Sequence, residues 1–211
     1  MKKRSILLFV MSVFAMSQTS IAQEKDDALL FADYFTGNSM RYDFHHAGNS
    51  ESEYYYFDKV VREGEWAGSR VSLINPFDYG EQMFRIIDSA TGTVIYKNNY
   101  CTLFNEWQTT PEAKHTPRSF PESVIFPEPK SCFTIEFFAR NKKSKEWEKK
   151  YSQVINVNDY NIRPGGNRCE GVDIHIGGEV AHSLDIVLLP DGFTAGEREK
   201  FIAACEMWSN A

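Results

Sequence analysis

Between Ser39 and Phe104 the sequence breaks into six short apolar and aromatic segments, each closed by turn-forming residues, and that rhythm admits few folds. The segments are Ser39–His46, Tyr54–Arg62, Trp66–Leu73, Gln82–Asp88, Thr93–Lys97 and Tyr100–Phe104. Their β-branched and aromatic side chains suit a pleated, half-buried surface and lose rotamer freedom in a helix. Asp88-Ser89-Ala90-Thr91-Gly92 joins two of them as a hairpin loop, with Gly92 free to take a positive φ. A second hairpin is expected through Cys132–Ala139 and Glu146–Val157, with the charged stretch Asn141–Lys150 at its tip. Between the hairpins, Thr109–Lys130 holds Pro111, Pro117, Pro121, Pro127 and Pro129. Proline cannot donate to a central ladder, so this stretch is expected to be an irregular crossover. Short strands with one long connection predict a mainly β fold, a β-sandwich of jelly-roll or Greek-key type over residues 24–157.

Residues 158–171 read as a linker, because Pro164-Gly165-Gly166-Asn167 is the densest turn signal in the chain. Beyond it, Val172–Ile176 and Glu179–Ala181 flank Gly177-Gly178 as a short hairpin, and Leu184–Leu189 reads as a buried strand stopped by Pro190-Asp191-Gly192. Thr194 with Glu197 three residues on is a capping box. It opens a helix that sets Phe201, Ile202, Cys205 and Trp208 on one face. Residues 172–211 are therefore expected to be an incomplete α/β strand-loop-helix segment, the start of a second domain.

The first 22 residues carry Lys2, Lys3 and Arg4, an apolar stretch Ile6–Met16, and small residues at Ser20 and Ala22 before Gln23. This is the pattern of a secretory signal peptide over residues 1–22, and it is short of the roughly 20 apolar residues that a membrane span needs. No cysteine follows the cleavage position, and no other segment has the length to span a bilayer. The mature chain is expected to be secreted, periplasmic or at the cell surface. Without the first 22 residues the chain has 20 basic against 29 acidic side chains, a sign opposite to that of a non-specific nucleic-acid binder. Cys101, Cys132, Cys169 and Cys205 are too far apart for a C-x-x-C knuckle. They leave open either a disulfide, with three possible pairings of the four, or separate thiols.

Candidate chemistry is sparse. His175, Glu179 and His182 form H-x-x-x-E-x-x-H, a spacing that could offer metal ligands on one helix, but Gly177-Gly178 argues against any helix there. His45 and His46 are adjacent on a strand, so their rings face opposite ways and do not share a ligand. Asp191, just before a helix amino terminus, sits where α/β folds place functional groups, and it is equally a turn-making residue before Gly192. Asp173 and Asp185 have no identifiable partner. Tyr54–Phe57, Phe77, Tyr79 and Trp107 could form a carbohydrate-binding face or the core and rim of the sandwich. There is no G-x-S-x-G, no glycine-rich phosphate loop and no H-E-x-x-H.

Three segments of the β region, Tyr34–Phe44 (YFTGNSMRYDF), Tyr96–Thr110 (YKNNYCTLFNEWQTT) and Phe120–Lys130 (FPESVIFPEPK), precede Asp185–Phe201 (DIVLLPDGFTAGEREKF). In this order, behind a signal peptide, they resemble the IgA-peptidase family of secreted bacterial zinc metallopeptidases, family sixty-four of that class. The resemblance covers Asp33 to Ala211, and Pro190–Ala195 is its most family-like element. It implies that the β region is the amino-terminal accessory domain and that Asp185–Phe201 opens the catalytic domain. It also implies that an H-E-x-x-H helix, with two zinc ligands and a general-base glutamate, lies well downstream. This sequence ends before such a helix, so no catalytic residue, cofactor-binding residue or metal ligand carries over, and zinc is expected only in a full-length homologue. By itself the chain is expected not to cleave peptide bonds. Its implied partner is a protein or glycoprotein substrate, with no nucleic acid and no membrane span, and the alternative is a secreted module that binds a glycan or protein.

Overall fold

The computed structural model describes residues 30–165, 171–179, 183–184 and 186–210. It is mainly β, built from two four-stranded sheets packed as a sandwich. After a single helical turn, α1 (Phe31–Tyr34), the chain forms the hairpin β1 (Phe35–Gly48) and β2 (Glu53–Glu65). It then crosses to the second sheet for the hairpin β3 (Gln82–Asp88) and β4 (Val94–Tyr100). A short helix, α2 (Leu103–Gln108), and a 3-10 turn lead back to β5 (Arg118–Pro129), which lies beside β1. The chain crosses once more for β6 (Phe133–Arg140) and β7 (Trp147–Ile155), and it returns as β8 (Arg163–Pro164), a two-residue strand parallel to β2. The sheet orders are β5-β1-β2-β8 and β4-β3-β6-β7. Long connections thus bring β5 beside β1 and β6 beside β3, the non-consecutive pairing of Greek-key connectivity.

Alternation along the strands delivers the core. Met40, Tyr42 and Phe44 of β1 and Val124 and Phe126 of β5 meet Phe84 and Ile86 of β3 and Phe133, Ile135 and Phe137 of β6. Phe137 is the hub, with ring centroids 5.6 Å from Tyr42, 4.8 Å from Phe44 and 5.2 Å from Tyr55. In β2 the register with β1 slips between Asp43 and Phe44, leaving Asp58 as an extra residue. This bulge shifts the parity, so Tyr55 on one side of it and Val60 on the other both point inward.

The hairpin loop at Asp88 forms as expected. The Asp88 carbonyl accepts from the Gly92 amide at 2.8 Å, its carboxylate accepts from Thr91, and Gly92 has φ +73°. Four expectations give way. Thr109–Lys130 is not wholly irregular, because its second half is β5. Pro121 and Pro127 share one parity in an unbroken register with β1, which turns their missing donors to the open edge of the sheet. Trp66–Leu73 is a loop rather than a strand: the Ser69 hydroxyl accepts from the amides of Val71 and Ser72, and local bonds replace a ladder. Tyr100–Phe104 ends β4 and then starts α2, because the Thr102 hydroxyl caps the Asn105 amide at 3.2 Å. No strand forms among the described residues of 172–190, where Leu184, Ile186, Val187 and Leu189 are exposed and have no neighbouring strand to bury them.

Of the stretch read as a linker, Ile162 is buried in the sandwich core and Arg163 and Pro164 pair with β2. The capping box forms as expected. The Glu197 carboxylate accepts from the Thr194 amide at 3.1 Å ahead of helix α3 (Arg198–Ser209), whose one buried residue is Cys205. Cys101, Cys132 and Cys205 carry no disulfide. The expected signal peptide, Cys169, His182 and Asp185 lie outside the described residues.

Candidate functional site

The residues singled out in the sequence do not converge. His175 and Glu179 stand exposed in an irregular segment, as does Asp173, and Asp191 is an exposed turn residue before Gly192 at φ +82°. His45 and His46 do face opposite ways, the first exposed and the second fully buried. Among the described residues no three His, Cys, Asp or Glu side chains are arranged to hold a metal ion.

A buried polar cluster around His46 gave no sequence motif. β1 carries His46 inward at one end of the sandwich, where Nε2 lies 3.1 Å from Glu53 Oε2 and Nδ1 lies 3.3 Å from Glu122 Oε2. The ring is sandwiched between Tyr55, at 4.5 Å between centroids, and Phe104, at 3.9 Å. Only the doubly protonated ring can donate to a carboxylate on each nitrogen. Burial works against that charge, but the bonds to Glu122 and Glu53 outweigh it and hold the His46 pKa above the usual histidine value. Burial likewise pushes Glu53 up, and the bond and charge of His46, the bond from Gln82 and the charge of Lys150 together bring it below the usual value. Gln82 Nε2 donates to Glu53 at 3.2 Å while the Gln82 carbonyl accepts from the Tyr55 hydroxyl, and Lys150 Nζ approaches Glu53 at 3.6 Å. Glu122 Oε1 and the Tyr100 hydroxyl are buried and without a hydrogen-bond partner. Both ring nitrogens of His46 are engaged, so the cluster ties β1, β2 and β5 together and has no free ligand atom on the histidine.

The aromatic residues divide. Tyr55 belongs to the main core, and Trp107 is buried against Phe104, Ala113 and Phe120 in a smaller one. Tyr54 and Tyr56 point outward from β2, each more than half exposed. Phe77 and Tyr79 form a third group, on the loop between β2 and β3. Their rings are stacked within 9° of parallel at 5.8 Å, and their exposures are 61% and 76%.

The family described as Peptidase M64 N-terminus matches residues 30–152, from α1 into β7 and more than half of the chain. The chain belongs to this family. The Peptidase M64 N-terminus match takes in both sheets of the sandwich except the end of β7 and the two-residue β8, and it stops before the exposed segment that carries α3. None of the curated proteins matches the chain. Among the described residues no helix is long and apolar enough to cross a membrane.

Proposed function

We propose that the chain is the amino-terminal part of a secreted zinc metallopeptidase resembling the IgA peptidases, and that its β-sandwich is an accessory domain with no zinc site of its own. The observation that carries this reading is the match to the Peptidase M64 N-terminus over residues 30–152, which takes in most of the sandwich. In this reading the sandwich holds or orients a protein or glycoprotein substrate, and residues 172–211 open the catalytic domain. The exposed apolar side chains Leu184, Ile186, Val187, Leu189 and Trp208 support the second part, since a domain core would cover them. The signal-like first 22 residues support export.

A zinc titration of the purified chain tests the reading. No stoichiometric zinc binding is expected, and one zinc per chain lost on replacing His175, Glu179 and His182 overturns it. A second reading, a self-sufficient glycan- or protein-binding module, draws on the exposed stacked rings of Phe77 and Tyr79. Binding of a ligand by the sandwich without any effect on a family peptidase would favour it.

A further inference from the structure

We infer that the loop carrying Phe77 and Tyr79, together with the β6–β7 hairpin tip, is a binding site for an acidic glycan, a saccharide bearing carboxylate or sulfate groups. This deepens the accessory-domain reading, in which the sandwich holds a glycoprotein substrate, and rests on it.

The loop is held by hydrogen bonds with β4 and with the β6–β7 hairpin, although it buries little of its own apolar surface. Asn75 Oδ1 accepts from the Phe77 amide at 2.9 Å, and Asn75 Nδ2 donates to Asn98 on β4 at 3.0 Å. Asn99 donates to the Phe77 carbonyl at 3.3 Å. Arg140 donates to the Asp78 carbonyl at 2.9 Å and to the Gly80 carbonyl at 3.1 Å, and Trp147 Nε1 donates to the Asp78 carboxylate at 2.7 Å. At Gly80, φ is +88° and an added Cβ would sit 2.7 Å from the Tyr100 carbonyl oxygen, so the turn closes only with glycine. These bonds fix the backbone and leave two parallel apolar rings in water. A loop ordered in advance spares a ligand the entropy of ordering it.

The same bonds join the loop to a cationic tip. Arg140 stacks on Trp147 at 4.1 Å and donates to the Lys145 carbonyl at 2.8 Å, and Lys142, Lys143 and Lys145 stand exposed on the tip. Lys142 Nζ donates to the Ser50 carbonyl at 3.1 Å, and no carboxylate of the described residues pairs with these three lysines, in contrast to Lys149 and Lys150 further along the hairpin. In a chain of net charge −6 this places a local positive field beside an aromatic platform.

The pairing of chemistries selects the ligand. The exposed ring faces take the C–H face of a sugar, the lysines take its acidic groups, and the Asp78 carboxylate, 61% exposed, accepts from its hydroxyls. A bilayer would have to take the Asp78 carboxylate along with the rings, which is costly in an apolar phase.

The test is binding of the full chain, by calorimetry, to sialyllactose, a galacturonate oligosaccharide and a heparin-derived tetrasaccharide, with lactose and phosphatidylserine vesicles as counter-probes. At least one acidic saccharide is expected to bind. Its affinity should fall about tenfold or more with Phe77→Ala/Tyr79→Ala and with Lys142→Glu/Lys143→Glu. It should weaken between about 0.1 and 1 M salt, and it should persist with Tyr54→Ala/Tyr56→Ala. All these positions are exposed, and thermal melting verifies that each variant is folded. Binding to none of the acidic saccharides, equal binding of lactose, indifference to the two variants, or vesicle binding lost in Phe77→Ala/Tyr79→Ala would each overturn the proposal. The two readings fail separately, since glycan binding is read by affinity and the lack of a zinc site by metal stoichiometry.

Discussion

Replacing His46 with alanine should be among the most destabilising single changes in the sandwich, and its cost should depend on what is left facing the gap. His46 is fully buried, and its two partners expose only 13% and 12% of their side chains. Removing one member of a buried ion pair costs about 3–5 kcal/mol, because the remaining charge has no compensation. Here two carboxylates are left, and the stacking on Tyr55 and Phe104 is lost as well. Neutralising them with Glu53→Gln and Glu122→Gln in the His46→Ala background should recover about 1–3 kcal/mol, within the range of coupling seen for groups in one network. The pH dependence has a defined sign. His46 is raised above 6.5, so its stabilisation is complete below that value and is lost as pH rises through its native pKa. Glu53 is lowered from 4.5, so its stabilisation is present above that value and is lost as pH falls through its native pKa. The cluster therefore contributes most between 4.5 and 6.5. Urea unfolding at about pH 5.5 and about pH 8.5 should show the native chain losing stability on the alkaline side, and His46→Ala losing much less of it. Strictly additive losses in the triple variant, or an unchanged alkaline slope in His46→Ala, would refute the claim that a charged histidine bridges the two glutamates.

Other parts of the account are checked independently. Phe137→Ala removes the ring on which Tyr42, Phe44 and Tyr55 converge and should cost about 3–5 kcal/mol in the same urea assay. Gly80→Ala should cost about 1–2 kcal/mol for the left-handed backbone alone, more with the clash against Tyr100, and should weaken any ligand held by Phe77 and Tyr79. Limited proteolysis followed by mass spectrometry should remove residues beyond about 165 well before the sandwich is cut, because Leu184, Ile186, Val187 and Leu189 are exposed and outside any sheet. Equal protection of the two regions would show that the tail packs on the sandwich.

The strands were legible where alternation and turn chemistry agreed. Gln82–Asp88 and the Asp88–Gly92 turn are the clearest cases, since the aspartate caps the turn and the glycine supplies its positive φ. β5 was not legible because proline is a ladder breaker only where its missing donor would face a neighbour. Whether a strand lies at an edge is a property of the sheet, not of the local sequence. Trp66–Leu73 has strand composition, but Ser69 offers the backbone a nearer partner. Leu184–Leu189 has the composition of a buried strand, and no neighbouring strand covers it among the described residues. The His46 cluster was hidden for a related reason. Its members come from positions 46, 53 and 122, and only the pairing of β5 with β1 brings the last to the first two. The stacked pair of Phe77 and Tyr79 was visible as composition, but its exposure depends on the bonds from Arg140 and Trp147, more than 60 residues away in sequence.

The central claim is that this chain is an accessory part of a peptidase and does no hydrolysis itself. The most direct measurement is the release of peptides from casein and from immunoglobulin A by the purified chain with zinc supplied. The account predicts no release above the background without protein. Hydrolysis that a zinc chelator abolishes and added zinc restores would contradict it.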